Sequence, residues 1–461
     1  MSIAATAEHP PQDAQPELQR TLRQRHMTMI AFGGVIGAGL FVGSSTVIAA
    51  TGPAAVLSYL IAGAIVLSVL RMLGELAVAR PALGSFSAYA RDGIGPWAGF
   101  TIGWLYWYQW TITLAIEATA GATLLQRWVD LPVAVMAGVL LCLLTATSLR
   151  SARSFGEFEF WFASIKVTAI VIFIAICLGW LVGAGDSPGL QHLTDGGGFA
   201  PAGVAPIFAG VVVVFFAFYG GEVVTIAAAE SDDPGRSIAR ATMSMIVRML
   251  VFYVVSILLI VLIVPWQTIR SGDSPFTDAL STIGLGWGAE VMAIVIVTAV
   301  LSALNSGIYA APRMLYAQAG AGDAPRALTR LNRGGVPQRA TLATSAVGLA
   351  CIVIAYALPG EAFTLLVNSA GAVAVAVYLL IAVSELRLRR QIERETPEAL
   401  TLKMWLFPWL TYLTIAAMVG IFAAFLFVPA VRSQLIPSAI SIAVIVLASL
   451  VVTRRRARAA G

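Results

Sequence analysis

The stretch GGVIGAG, residues 33–39, decides how this sequence folds, because it puts four glycines within seven residues of an apolar segment. Each glycine costs a helix about 1 kcal/mol relative to alanine. A second weak point, FYGGE at residues 218–222, lies in another apolar segment. Close helix packing would explain either stretch alone, since Gly33 and Gly37 have the small-residue spacing that lets helices approach. Together the two stretches predict two interrupted helices.

The composition around these stretches is that of a membrane protein. Of the 461 residues, 59% are hydrophobic and 11% are charged, whereas soluble domains carry about 25% charged residues. Apolar runs of about 20 residues, enough to cross a bilayer, recur along the chain. We predict an all-α polytopic membrane protein with twelve transmembrane helices. The predicted spans are 28–50, 54–74, 96–122, 131–149, 158–183, 204–228, 240–264, 287–311, 338–358, 363–384, 406–428 and 435–453.

The basic residues predict the orientation of these spans. With the N-terminus in the cytoplasm, the outer side holds only Arg127, Arg270 and Arg432, Lys166 lies within a span, and all other basic residues fall inside. Such an inward bias is typical of membrane proteins. It explains the net charge of +5 without a nucleic-acid partner, and it favours contact with anionic lipids. The amphipathic segment 80–95 is predicted to be an interfacial helix on the inner side.

The two glycine-rich stretches fall in the first and sixth predicted spans, which are corresponding positions of two five-helix halves. Paired interruptions of this kind mark the binding site of transporters built from inverted repeats. The predicted organisation is a cytoplasmic N-terminal tail at 1–26, a transmembrane domain at 27–453 with repeats at 27–183 and 204–384 and two further helices at 406–453, and a cytoplasmic C-terminal tail at 454–461.

The interrupted backbone predicts what would bind there. Free N–H groups at a helix N-terminus attract a carboxylate. Free carbonyl groups and the negative ends of helices attract an ammonium group. A site with both is complementary to a zwitterion.

Three ionisable residues are predicted to lie deep inside spans, where function is the default interpretation. Lys166 would carry the coupling proton, because burial disfavours a charged lysine, or would be a fixed cation paired with a carboxylate. Glu222 would tie the second break together by hydrogen bonds or would itself carry a proton. Glu117 is a candidate for lining the binding cavity, together with Trp107 and Asn305.

Other residue patterns argue against an enzyme. The three cysteines lie in apolar segments and the three histidines lie outside them, and no paired metal ligands or nucleophile–base set stands out. We therefore predict no catalytic residue, metal or cofactor. A channel would need a continuous polar pore, and a non-transporting amino acid sensor would need a signalling domain, for which the short tails leave little room.

Several motifs resemble those of one family. They are GVIGAGLFVGSS at 34–45, GSFSAY at 84–89, GWLYW at 103–107, GEFEFW at 156–161, AAAES at 227–231, RMLY at 313–316 and GDAP at 322–325. Together they resemble the amino acid–polyamine–organocation superfamily and, within it, the bacterial amino acid transporter family. Among its members, the sequence looks most like the γ-aminobutyrate permeases, to which the stretches 102–107, 222–231 and 379–386 are similar. Where those permeases carry an aspartate near the start of span 10, this chain has Asn368.

The resemblance implies a LeuT-type fold, with a 5+5 inverted repeat plus two helices and with helices 1 and 6 broken. It implies a multi-pass protein of the bacterial inner membrane. The residues that it implies for the substrate carboxylate are Gly37, Ala38 and Gly39. Those for the substrate amino group are Val35, Phe216 and Tyr219, next to the break at Gly220, Gly221 and Glu222.

The resemblance also implies a function. Lys166 matches the lysine that replaces a sodium ion in proton-coupled relatives, so the expected activity is proton-coupled uptake of a small amino acid by alternating access. γ-Aminobutyrate is the favoured substrate. The alternatives are import or exchange of proline, an aromatic or a basic amino acid, and sensing without transport. The oligomeric state is left open.

Overall fold

The structure is a computed structural model that describes residues 26, 29–30, 34–82, 84–183, 189–227, 250–357, 362–427 and 429–460. Of the predicted tail at 1–26, only His26 is among these residues. The helices discussed below are α1 Ala38–Phe41, α2 Gly43–Thr51, α3 Ala55–Ala79, α4 Phe86–Gly93, α5 Pro96–Leu125, α6 Val133–Ser148, α7 Ala152–Gly183, α8 Ala205–Phe218, α9 Val223–Ala227, α10 Leu250–Ile263, α11 Pro275–Thr282, α12 Gly286–Gly320, α13 Gln338–Ala357, α14 Ala362–Glu395, α15 Trp409–Phe427 and α16 Pro429–Ala460.

The described part of the chain is all-helical, as predicted for a polytopic membrane protein. Helices occupy part of each of the twelve predicted spans. Seven segments among the described residues are long and apolar enough to cross a membrane, and the first of them, Ala38–Ala79, covers part of the first predicted span and all of the second. Helices α6, α10 and α15 are apolar but shorter. Helix α5 is 30 residues long, but tryptophan, tyrosine and glutamine dilute its apolar character.

The helices divide into a buried centre and a periphery with apolar exposed faces. Helix α5 packs along α12, and α12 also packs along α7, while α8 packs between α3 and α14. In the most apolar 18-residue stretch of α12, 78% is buried inside the protein. In the corresponding stretch of Phe155–Gly183, in α7, 22% is buried. An apolar helix face outside the core is stable when lipid surrounds it, so this distribution fits an integral membrane protein.

Two helices run well beyond their predicted spans. Helix α12 continues to Gly320, through Pro312, and α14 continues to Glu395. The segment 80–95, predicted to be an interfacial helix, contains the short helix α4, which packs against α5 and α14. Helix α16 includes most of the predicted C-terminal tail.

One carboxylate joins three of these elements. Asp323, just after α12, is almost fully buried and forms ion pairs with Arg91 of α4 and with Arg456 of α16. Each arginine binds a different oxygen of the carboxylate, and Arg456 contacts Oδ1 at 2.6 Å. Arg456 also donates to the carbonyl of Gly322. The end of α12 is therefore fastened to both α4 and α16.

Candidate functional site

The first glycine-rich stretch interrupts the helical hydrogen-bond pattern. The Gly34 N–H donates to the carbonyl of Ile30 at 3.2 Å, after which residues 34–37 form turns and bends. Gly37 is extended, with φ −143° and ψ −151°, and helix α1 begins at Ala38. The break therefore leaves a helix N-terminus in the protein interior, where all of α1 is buried. Gly33 lies outside the described residues.

The second stretch separates α8 from α9. Tyr219 leaves the helical conformation with ψ 141°, and Gly220 has φ +119°, which a residue with a side chain adopts only with strain. The Glu222 carboxylate binds this turn, because its Oε2 accepts from the Gly220 N–H at 3.1 Å and from the Tyr378 hydroxyl at 3.0 Å. Its Oε1 is buried without a hydrogen-bond partner among the described residues.

The two breaks touch each other through their backbones. A Cβ atom on Gly220 would lie 2.1 Å from the carbonyl oxygen of Gly34, so neither position has room for a side chain. Tyr253 of α10 adds a bridge, with its hydroxyl 3.0 Å from the Val35 carbonyl and 2.8 Å from the Ala217 carbonyl. One carbonyl of the first break and one carbonyl next to the second break thus share one hydroxyl group.

Glu117 of α5 occupies the first break. Its carboxylate oxygens lie 3.0 and 3.2 Å from the Ala38 nitrogen and accept that N–H. Gly37 permits this approach, because a Cβ there would lie 2.7 Å from Oε1 of Glu117. The N–H predicted to bind a substrate carboxylate therefore binds a carboxylate of the protein in this conformation.

Lys166 of α7 lies on the other side of the first break. Its ammonium group donates to the Ile36 carbonyl at 2.7 Å and to the Ser302 hydroxyl at 2.8 Å. The Ser302 hydroxyl in turn donates to Glu159, whose other oxygen accepts from the Asn305 side chain at 3.2 Å. All four side chains are buried. Asn305 is therefore placed with the Lys166 network.

Sequence reasoning did not single out Glu159. It lies at the very start of its predicted span, where a carboxylate is ordinary. Its position seven residues before Lys166 could have indicated a contact between the two side chains, because two helical turns put both on one face of α7. Tyr253 had no such signal, since it is one aromatic residue in an apolar span and contacts the breaks only through the fold.

Aromatic rings enclose the second break. The Tyr219 ring lies 5.7 Å from Tyr106, 5.8 Å from Trp110 and 5.7 Å from Tyr378, measured between centroids. The polar atoms of Tyr106, Trp110 and Tyr219 are buried and have no hydrogen-bond partner among the described residues. Trp107 points elsewhere, since its indole donates to Thr344 of α13 at 2.9 Å.

The other predicted contact residues lie at the same level. Phe216 is buried near the end of α8, and its carbonyl accepts the Tyr219 N–H at 3.2 Å. Gly39 lies against α8, where a Cβ would be 2.5 Å from the Cα of Ala217. No cluster of metal-ligating side chains occurs among the residues that the structure describes. The arrangement provides N–H donors, carbonyl acceptors and buried charges, which suit the binding of a small charged molecule.

Comparisons with known proteins identify the family of this chain. A model of the amino acid permease family matches residues 26–457. The γ-aminobutyric acid permease of Bacillus subtilis (strain 168) is 46% identical over 447 residues, which are 96% of this chain and 95% of that protein. The γ-aminobutyric acid permease of Escherichia coli (strain K12) is 42% identical over 432 residues, 92% of each chain.

A relative with another named substrate is almost as similar. The aromatic amino acid transport protein AroP of Corynebacterium glutamicum is 40% identical over 438 residues, 93% of this chain and 94% of that protein. The predicted resemblance, including that to γ-aminobutyrate permeases, is confirmed. This chain belongs to the amino acid permease family, whose members are membrane transporters and not enzymes.

Proposed function

We propose that this protein takes up a small amino acid together with a proton, by alternating access. The observation that carries the proposal is the bond from the Ala38 N–H to the Glu117 carboxylate, at 3.0 Å for the nearer oxygen. It supports the view that the N-terminus of α1 binds carboxylates. The substrate carboxylate would replace Glu117 at Gly37, Ala38 and Gly39.

The amino group of the substrate would meet carbonyl groups of the two breaks. Val35 and Phe216 supply them, and Tyr219 lies within the enclosing aromatic rings. The Val35 carbonyl lies near the Tyr253 hydroxyl, so an ammonium group would replace that hydroxyl as the donor. Substrate binding then exchanges internal contacts of the protein for contacts with a zwitterion, and this exchange would loosen the closed arrangement of the breaks.

Lys166 and Glu222 are our candidates for proton coupling. Lys166 lies between the first break and the Glu159 carboxylate, so a change in its charge would act directly on the Ile36 carbonyl. Glu222 binds the second break through Gly220. Gain or loss of a proton at either residue would change how strongly its break is held, which links protonation to the movement of the helices.

The relatives support γ-aminobutyrate as the first substrate, since two permeases named for it align over nearly the full chain. AroP supports an aromatic amino acid as the second candidate. Tyr106, Trp110 and Tyr219 surround the second break, and an aromatic substrate could stack on such rings. Exchange of amino acids and sensing without transport are the further alternatives.

We also propose the architecture of the resembled family. It has twelve transmembrane helices in two inverted repeats, at 27–183 and 204–384, followed by two helices at 406–453. The arginine asymmetry favours cytoplasmic tails at 1–26 and 454–461 in a bacterial inner membrane. Spans 1, 2, 6 and 7 would move against spans 3, 4, 8 and 9.

Uptake in liposomes tests the proposed function. We expect labelled γ-aminobutyrate to accumulate in vesicles that contain the protein, faster with an inward proton gradient than without one. Unlabelled γ-aminobutyrate is expected to inhibit more strongly than phenylalanine, proline or arginine. Stronger inhibition by another amino acid would identify that amino acid as the preferred substrate. Uptake at the same rate with and without the proton gradient would contradict proton coupling. Binding without uptake would support a sensor.

Glu117→Gln tests whether Glu117 competes with the substrate. The amide is a weaker acceptor than the carboxylate, because charge-assisted hydrogen bonds are about twice as strong as neutral ones. We expect KM for the substrate to fall by roughly threefold to tenfold, which is about 1 kcal/mol. Glu290→Gln, at an exposed glutamate paired with Arg127, is the matched control. An unchanged or higher KM in Glu117→Gln would refute the competition.

A further inference from the structure

One face of the polar end of α14 carries three arginines around a cavity. Arg387, Arg390 and Arg394 recur at helical spacing with Gln391, and all four are exposed. A cavity of about 450 Å³ is lined by this face together with Leu386 and Glu395. We call these residues the arginine pocket.

The charge of the arginine pocket is not balanced by its own carboxylate. Glu395 accepts from Arg80 at 3.0 Å and from Gln391 at 2.9 Å, so it is already engaged with a cation outside the pocket. Among the residues that the structure describes, the hydrogen bond of the Arg387 side chain goes to a backbone carbonyl, that of Gly93, at 3.4 Å. Arg394 has no acceptor among the described residues. Three guanidinium groups therefore face one cavity, which suits an anion with several acceptor oxygens.

The surroundings of the arginine pocket give its depth in the membrane. Arg390 donates to the Tyr412 hydroxyl of α15 at 2.6 Å. Beside Tyr412, Leu406 and Trp409 expose 78% and 76% of their surface. Tryptophan and tyrosine concentrate at the level of lipid headgroups, with neighbouring apolar side chains in the acyl region. These neighbours indicate that the cavity opens at the level of the headgroup phosphates.

We propose that the arginine pocket binds the phosphate of an anionic phospholipid headgroup. The three arginines would hold the phosphate oxygens, Gln391 would donate to a headgroup oxygen, and the acyl chains would lie over Leu406 and Trp409. Clusters of basic residues next to a transmembrane helix bind anionic headgroups in this way. The proposal does not depend on which amino acid the protein transports. A free phosphate ion offers the same oxygens and is the rival occupant.

Arg389 shows that the arrangement is specific to one face of α14. It points away from the cavity and forms an ion pair with the buried carboxylate of Glu75. Its guanidinium also lies 4.9 Å from the Phe407 ring centroid. Arg389 thus pairs with a carboxylate inside the protein, while the three pocket arginines have no carboxylate among their described contacts.

The test compares two triple variants that lose the same charge. In the first, Arg387, Arg390 and Arg394 are replaced by glutamine. In the control, the exposed residues Arg326, Arg330 and Arg333 are replaced by glutamine. Each protein is placed in phosphatidylcholine nanodiscs, and retained phosphatidylglycerol and the midpoint of thermal unfolding are measured as phosphatidylglycerol is added.

We expect phosphatidylglycerol to be retained by, and to stabilise, the natural protein and the control. The pocket variant should bind it roughly tenfold more weakly or worse, since each arginine near an anionic headgroup contributes. Equal binding by both triple variants would overturn the proposal and leave only a general attraction to basic residues. Arg394→Gln alone is the second variant if the triple one fails to fold, and it should show a smaller loss in the same direction.

Inorganic phosphate distinguishes the two occupants. It is added to the natural protein in phosphatidylcholine nanodiscs, with chloride at equal ionic strength as the reference. We expect no stabilisation by phosphate. Stabilisation that disappears in the pocket variant would overturn the lipid assignment in favour of a soluble phosphate.

Discussion

Replacing Lys166 by alanine is expected to abolish most proton-driven accumulation while exchange of substrate across the membrane continues. The ammonium group is the donor to the Ile36 carbonyl at 2.7 Å, and it is linked through Ser302 to the buried Glu159. Removing one partner of a buried charge pair costs about 3–5 kcal/mol. That cost falls on folding stability. Loss of the proposed proton carrier should separately lower accumulation driven by the gradient at least about tenfold, which corresponds to about 1.4 kcal/mol.

The measurement uses the same liposomes with and without a proton gradient, alongside counterflow with substrate on both sides. Lys403→Ala is the control, because it removes the other lysine of the chain, which is exposed. Lys166→Met keeps the side-chain volume and separates loss of charge from loss of packing. Accumulation that stays at the natural level in Lys166→Ala would remove Lys166 from the coupling mechanism.

Gly220→Ala is expected to have the second large effect, a loss of transport together with lower stability. The new Cβ would lie 2.1 Å from the Gly34 carbonyl oxygen, in a backbone conformation with φ +119°. The conformation alone costs roughly 1–2 kcal/mol for a residue with a side chain, and overpacking adds about 1–3 kcal/mol. The two breaks would separate, and the groups on either side of the site would lose their alignment.

Uptake rate and the midpoint of thermal unfolding are measured together for this variant. Gly179→Ala is the matched control, because Gly179 is a helical glycine of α7 with no atom within 4 Å of the new Cβ. That control should keep both quantities or gain slightly in stability. If Gly220→Ala transports at the natural rate, the close contact between the breaks is not needed for the transport cycle.

The sequence allowed the helical architecture and the position of both breaks to be predicted, because glycine-rich stretches conflict with the helix preference of the residues around them. It did not show which side chains from other helices contact the breaks. Glu117 and Tyr253 reach the break residues from α5 and α10, and no local pattern reports such long-range contacts. Trp110 and Trp107 were equivalent in sequence, three residues apart on one helix. Only the packing of α5 distinguishes the residue beside Tyr219 from the residue beside Thr344.

The junction at Asp323 has a consequence for how the protein is made. Its buried carboxylate takes one arginine from α4 and one from α16. Since synthesis proceeds from the N-terminus, Arg91 is available long before Arg456 leaves the ribosome. Until α16 is inserted, Arg91 is the one arginine of this junction that can pair with the Asp323 carboxylate. The junction at the end of α12 therefore reaches its full set of contacts only after α16 has been inserted.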